Sequence, residues 1–225
     1  MEIKTMDKYR ILAGIILFGS LWGMLECIIG EISPSWFPGA AFLGGGIGLS
    51  LMMLTRRLYG AMWMQLGMAI VAGAVRFWSP VIGTCVICSA LAIMAEGLIF
   101  ELIFNRSVFN IHGSGPLDLK SPRTLATLGV ISGFTIFTVG FMLTQIMTPL
   151  LTGGIFTITN FISNLPSYVG TGFFAAVFGG ISLPLAVLVK QLHIDIDGVK
   201  KAQYYAAAAG ISTFCWVLVI AFPYA

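Results

Sequence analysis

The sequence predicts an all-α, polytopic membrane protein with about seven transmembrane helices, and three observations carry that expectation. Of its 225 residues, 58% are hydrophobic and only 9% charged, whereas soluble domains run to about 25% charged. Seven apolar runs approach the ~20 residues that a helix needs to cross a bilayer. The basic residues gather in alternate gaps between those runs, as loops on one side of a membrane do.

The elements follow in order. Residues 1–10 are polar and basic and lead directly into the first run, 11–31, with no small-residue cleavage site, so the run reads as a span and not as a signal. The second, 40–55, is short and glycine-rich, and is expected to be tilted or partly buried by its neighbours. The third and fourth are 58–76 and 81–104. A polar linker, 105–123, ends in a helix start, with Ser121 as N-cap and Pro122 in the first helical position. The fifth span is 124–148. The stretch 151–166 is apolar but interrupted by Gly, Asn and Pro, and is expected to be interfacial or re-entrant; six spans plus such a segment is the alternative count. Spans 167–189 and 202–222 complete a single domain, 1–225. A weak repeat links 10–78 with 123–222 across the helix 81–104: Arg10-Ile-Leu-Ala echoes Arg123-Thr-Leu-Ala, and the Ala-Ala-x-x-Gly-Gly at Ala40 echoes that at Ala175.

Lys4, Lys8, Arg10, Arg56, Arg57, Arg106, Lys120, Arg123, Lys190, Lys200 and Lys201 all fall on one side, eleven of the twelve basic residues. The positive-inside rule makes that side cytoplasmic and sets the N-terminus inside, in a multi-pass protein of the inner (cytoplasmic) membrane. Arg76 alone lies opposite. The net charge of +3 is thus a matter of topology and gives no reason to expect nucleic acid. Four cysteines, Cys27, Cys85, Cys88 and Cys215, lie within spans and read as buried thiols, despite the C-x-x-C at Cys85. His112 and His193 fall in basic-side loops and are expected to be solvated.

Glu26 and Glu96 lie inside apolar runs, where a carboxylate costs roughly 2.5–3.5 kcal/mol to insert. Each falls on a stripe of small residues at helical spacing: Gly19, Gly23, Glu26 and Gly30 in span one, and Cys85, Ser89, Ala92 and Glu96 in span four. Span three repeats the pattern with Gln65, Ala69, Ala72 and Arg76, and span five with Gly129, Gly133, Gly140 and Thr144. At ~1.5 Å per residue, Glu26 and Arg76 come out at similar heights near the outer side, which suggests a pair. Gln65 and Glu96 come out nearer the cytoplasm and suggest a second, separate polar pair. Glu101 is expected to snorkel towards Arg106. The hydroxyl and amide groups of 157–168, with Asn160, Asn164 and Tyr168, together with Trp36 of the first loop, suggest an outward-facing pocket for a small-molecule substrate that also involves Glu26 and Arg76.

The size, the topology, the outer pocket and the Gly19-x-x-x-Gly23 spacing resemble the substrate-binding S components of energy-coupling-factor vitamin transporters. That resemblance implies uptake of a vitamin or vitamin-precursor-like solute. It also implies a coupling transmembrane subunit with ATPases as partners, docked on Gly19 and Gly23. The family usually has six spans and uses alanines in the docking stripe. The alternative expectation is a self-sufficient seven-helix carrier, proton-coupled or facilitative, with Glu26 or Glu96 binding the proton. No metal-ligand spacing, nucleophile elbow or Walker motif occurs, so neither an enzyme nor a bound cofactor or metal is expected.

Overall fold

Seven helices make up the described part of the computed structural model, which covers residues 7–34, 36–79, 86–104, 121–188 and 198–221. They are α1 (Lys8–Ile32), α2 (Gly39–Tyr59), α3 (Met64–Phe77), α4 (Val86–Ile103), α5 (Pro122–Thr152), α6 (Ile158–Leu188) and α7 (Lys201–Ala221). Each matches one apolar run of the sequence. Five of them, α1, α2, α5, α6 and α7, are long and apolar enough to cross a membrane, the architecture of a multi-pass membrane protein. No strand occurs among the described residues. Cys85, Arg106, His112, Lys120, Lys190 and His193 lie outside them.

Helix ends follow local chemistry. Asp7 caps α1 by accepting the Tyr9 N–H at 3.1 Å, and Ser121–Pro122 opens α5 as the sequence predicts. Gly60 and Gly153 close α2 and α5 in the left-handed conformation that glycine adopts without a Cβ penalty.

The stretch 151–166 corrects the sequence reading. Only residues 153–157 are non-helical, and from Ile158 onward the chain is a continuous helix through Pro166 to Leu188. Pro166 breaks at most one backbone bond in a helix of 31 residues. The polar side chains are spent on the helix itself: Ser163 Oγ and Asn164 Nδ2 both donate to the Asn160 carbonyl at 2.9 Å.

Glycines set the packing. Val71 lies beside Gly19 and Val75 beside Gly23, each 2.6 Å from where a glycine Cβ would sit, so α1 and α3 run in parallel at close approach. Gly129 faces Gly179 and Gly133 faces Ala175, bringing α5 and α6 together as an antiparallel pair. Helix α2 is wedged into the middle and departs from α-geometry over Phe42–Gly48, which forms a seven-residue π-helix. Such segments are rare and recur at functional sites. Here the wider turn lets three glycine backbones meet three other helices: Gly44 on α4, Gly45 on α6 and Gly48 on α1. Ser182 Oγ of α6 donates to the Gly45 carbonyl at 3.1 Å. The main apolar core, with Trp22, Leu49, Met52, Ala69, Ile93, Phe100 and Ile136, joins α1 to α5. Helix α7 rides on α1, fastened by Tyr204 Oη to the Arg10 carbonyl at 3.1 Å and by Trp216 Nε1 to Ser20 Oγ at 3.0 Å.

Candidate functional site

Among the described residues, two clusters with buried carboxylates lie inside the bundle, and they differ in how completely they are satisfied. The first is at the end where α2 finishes. Arg56 of α2 forms an ion pair with Glu101 of α4, both fully enclosed. Glu101 Oε1 accepts the Gln65 backbone N–H at 3.1 Å. The Gln65 side-chain amide donates to the same oxygen at 2.8 Å, and its carbonyl accepts from Arg56 N at 3.0 Å. Arg56 Nη1 also donates to the Ala61 carbonyl at 3.0 Å. A charge pair closed in this way holds three helices in register and leaves little for a ligand to do.

This cluster corrects two expectations. Gln65 binds Glu101 and not Glu96, and Glu101 does not extend outward to the linker. The reason is the direction of side chains on a helix, which tilt toward its N-terminus. Helix α3 runs parallel to α1 and antiparallel to α4. Gln65 therefore leans one way along the bundle and Glu96 the other, whereas Gln65 and Glu101, five residues further along α4, lean toward each other.

The same tilt assembles the second cluster, deeper in the bundle. Glu26 on α1 and Glu96 on α4 lean toward each other from antiparallel helices, and their carboxylates lie within electrostatic reach of one another. The sequence reading, which counted Cα heights, had kept them apart. Glu26 Oε1 accepts the indole N–H of Trp22, one turn earlier, at 3.1 Å, and Trp22 itself is completely buried. The Arg76 guanidinium is near enough to Glu26 and Cys27 to act on both electrostatically, and its Nε donates to Ser89 Oγ at 3.2 Å. Glu96 is 6% exposed. Its carboxylate sits against Gly44 of the π-helix, Oε1 lying 2.6 Å from where a Cβ would be. Glu96 Oε2 is buried and has no hydrogen-bond partner among the described residues.

The other expected residues fall elsewhere. Asn160 and Asn164 are exposed on α6 and bonded within that helix. Tyr168 packs on Phe141, ring centroids 5.2 Å apart. Trp36 is 80% exposed and meets Phe37 edge-on. None of these four joins Glu26 and Arg76 in the contacts described. Gly19 and Gly23 are buried against α3 and present no open stripe to a partner. Cys27 and Cys215 are free buried thiols, while Cys88 is disulfide-bonded, against the expectation of four free thiols. No group of three or more His, Cys, Asp or Glu side chains that could hold a metal ion occurs among the described residues.

Sequence reasoning overlooked Trp22 and Gly44. Trp22 had a signal, since residues at i and i+4 share a helix face and Glu26 follows it at that spacing. Gly44 had none, because its role depends on the π-turn. No protein-family model matches the chain, and searches of curated proteins and of solved structures find no match either.

Proposed function

We propose that this chain is a carrier that binds a small solute and moves it across the cytoplasmic membrane. In this reading it spans the membrane seven times, with the N-terminus and the basic loops inside. The observation that carries the proposal is Glu96, a carboxylate at membrane depth with one oxygen unpartnered among the described residues, set against Gly44 of the π-helix and within electrostatic reach of Glu26. Intramembrane ionisable groups mark solute and ion pathways. Unlike Glu101, this one is not consumed by a structural ion pair. The Trp22–Glu26–Arg76–Glu96 cluster is then the solute-binding region, reached by movement of α1 and α2 about the glycine contacts.

The S-component reading rests on the size, the topology, the outer pocket and the Gly19-x-x-x-Gly23 spacing. The burial of Gly19 and Gly23 against α3 counts against a docking role for that spacing, and the self-sufficient carrier needs no such surface. Neither version requires catalysis by this chain.

The test is native mass spectrometry of the protein purified in mild detergent, with released small molecules identified. A solute retained by the wild type and lost from Glu26→Gln and Glu96→Gln supports the proposal. Retention unchanged in both variants, or no solute in any preparation, counts against it.

A further inference from the structure

We infer that α1 and α7 form a site for one anionic phospholipid of the cytoplasmic leaflet. Its phosphate rests among Lys8, Lys200 and Lys201, and an acyl chain fills the groove below them. The site uses the membrane orientation proposed above, lies apart from the solute-binding region and does not depend on what the chain carries.

A groove of about 500 Å3 runs along the α1–α7 pair, a size in the range of ligand pockets. Its lining changes character with depth. Asp7 and Lys201 stand at the mouth, Tyr9 and Tyr205 follow, and Leu12, Ala13 and Ile16 lie deepest. Tyr9, Leu12, Ala13 and Ile16 recur at i, i+3, i+4 and i+7 and so share one face of α1. From Tyr9 to Ile16 that face descends ~10 Å along the helix, at ~1.5 Å per residue. Tyr9, Leu12 and Ile16 are exposed on the outside of the bundle, where a membrane protein meets lipid. Charge, then amphipathic rings, then aliphatic carbon is the order in which a phospholipid presents its phosphate, glycerol and acyl chain.

The groove is held open by bonds behind it. Tyr204 Oη donates to the Arg10 carbonyl at 3.1 Å and lies 2.7 Å from Tyr59 Oη of α2. Arg10 Nη2 donates to the Val199 carbonyl at 2.8 Å, just before α7 begins. The starts of α1 and α7 are thereby fixed side by side, and a preformed groove spares a ligand the cost of ordering it.

Charge selects the headgroup. Among the described residues, Lys8, Arg10, Lys200 and Lys201 gather at these two helix starts against one carboxylate, Asp7. Asp7 is already spent, accepting from Lys201 at 2.8 Å and from the Tyr9 N–H at 3.1 Å. The Lys8 ammonium lies 5.2 Å from the centre of the Tyr9 ring, and Lys200 and Lys201 are exposed. Basic pockets between transmembrane helices on the cytoplasmic side favour anionic headgroups. A soluble anion would leave the apolar walls empty, and a zwitterionic lipid would bring its own ammonium into the cluster. A second copy of the chain, packed symmetrically, would set a like cluster of cations against this one.

The test is native mass spectrometry of the delipidated full chain in neutral detergent, titrated with phosphatidylglycerol or phosphatidylethanolamine of identical acyl chains. One phosphatidylglycerol per chain is expected, bound more tightly than phosphatidylethanolamine by at least about fivefold, the contribution of a single lysine. Lys8→Gln combined with Lys200→Gln should weaken it about 25-fold, at roughly fivefold per lysine. Ala13→Phe, which fills the groove and removes no charge, should abolish the adduct. Equal binding of the two lipids by the wild type, which needs no variant to fold, overturns the inference. So does phosphatidylglycerol binding undiminished by either change in protein of wild-type elution and helicity. Displacement of the lipid by an equal concentration of inorganic phosphate would mark a bare anion site and overturn it. A wild-type dimer without lipid that dissociates in Ala13→Phe would mark an interface between copies and overturn it too. Lipid mass is read without transport, so these outcomes are separate from those that judge the carrier reading.

Discussion

Glu101→Gln and Glu96→Gln are near-isosteric changes five residues apart on one helix, and the structure assigns them opposite effects on stability. Glu101 is the anion of a buried pair and accepts from Arg56 and twice from Gln65. Removing one partner of a buried pair costs about 3–5 kcal/mol, because the other charge stays enclosed. Arg56 keeps its bond to the Ala61 carbonyl, which puts the expectation near the lower end, about 3 kcal/mol. At 1.4 kcal/mol per tenfold, that is on the order of a hundredfold in the unfolding equilibrium. Glu96 Oε2 makes no hydrogen bond to the described residues, so Glu96→Gln removes a costly buried acid and gives up little. Its effect is expected to be neutral to stabilising. The assay is equilibrium unfolding in mixed micelles of increasing SDS fraction, followed by far-ultraviolet circular dichroism. Equal losses in the two variants would refute the reasoning, as would a larger loss in Glu96→Gln, because the two clusters would then be equally structural.

Other consequences can be read from single substitutions. Gly44→Ala places a Cβ 2.6 Å from Glu96 Oε1; solute retention should be lost while the protein elutes and folds as the wild type, because the displaced group is the far end of a side chain. Trp22→Phe removes the donor to Glu26, at a cost of about 1.5–3 kcal/mol for a charged acceptor, and the smaller ring at this fully buried site adds a cavity cost, both measurable in the same unfolding assay. Gly19→Leu and Gly23→Leu should each lower the stability of the isolated chain by about 1–3 kcal/mol or more through overpacking against α3; unchanged stability would return these positions to a role in docking. Asp7 outside the membrane is held below the ordinary carboxylate range by the Lys201 ammonium, 2.8 Å away, and then by the Tyr9 N–H. A lowered carboxylate contributes above its unfolded value of about 3.9 and loses that contribution as pH falls through the folded one. The wild type should therefore show a small fall in melting temperature on acidification below that value that Asp7→Asn does not share.

The seven helices were legible because apolar length and basic-loop spacing are one-dimensional signals, and each apolar run became one helix. The small-residue stripes were legible for the same reason: Gln65, Ala69, Ala72 and Arg76 are all buried on α3. What was not legible was which polar groups on different stripes would meet. Counting ~1.5 Å per residue locates Cα atoms, but Gln65 and Glu101 meet through side chains that lean along the helix axis by amounts comparable to the spacing being judged. Opposed directions of α1 and α4 bring the Glu26 and Glu96 side chains within electrostatic reach despite their difference in Cα height. The segment 151–166 misled because Asn, Ser and Pro are loop formers in water, whereas in this chain Ser163 and Asn164 bond back to their own helix. The π-turn at Phe42–Gly48 left no trace in the sequence beyond its glycines.

The most direct measurement is uptake into vesicles that contain this chain as their only protein. A defined mixture of amino acids, nucleosides, vitamins and polyamines is placed outside, an acidic-outside pH gradient is imposed, and the vesicle contents are identified by mass spectrometry. The account predicts that at least one solute accumulates over protein-free vesicles without ATP or any coupling subunit, and that Glu96→Gln abolishes the accumulation. Contents indistinguishable from those of protein-free vesicles would contradict it.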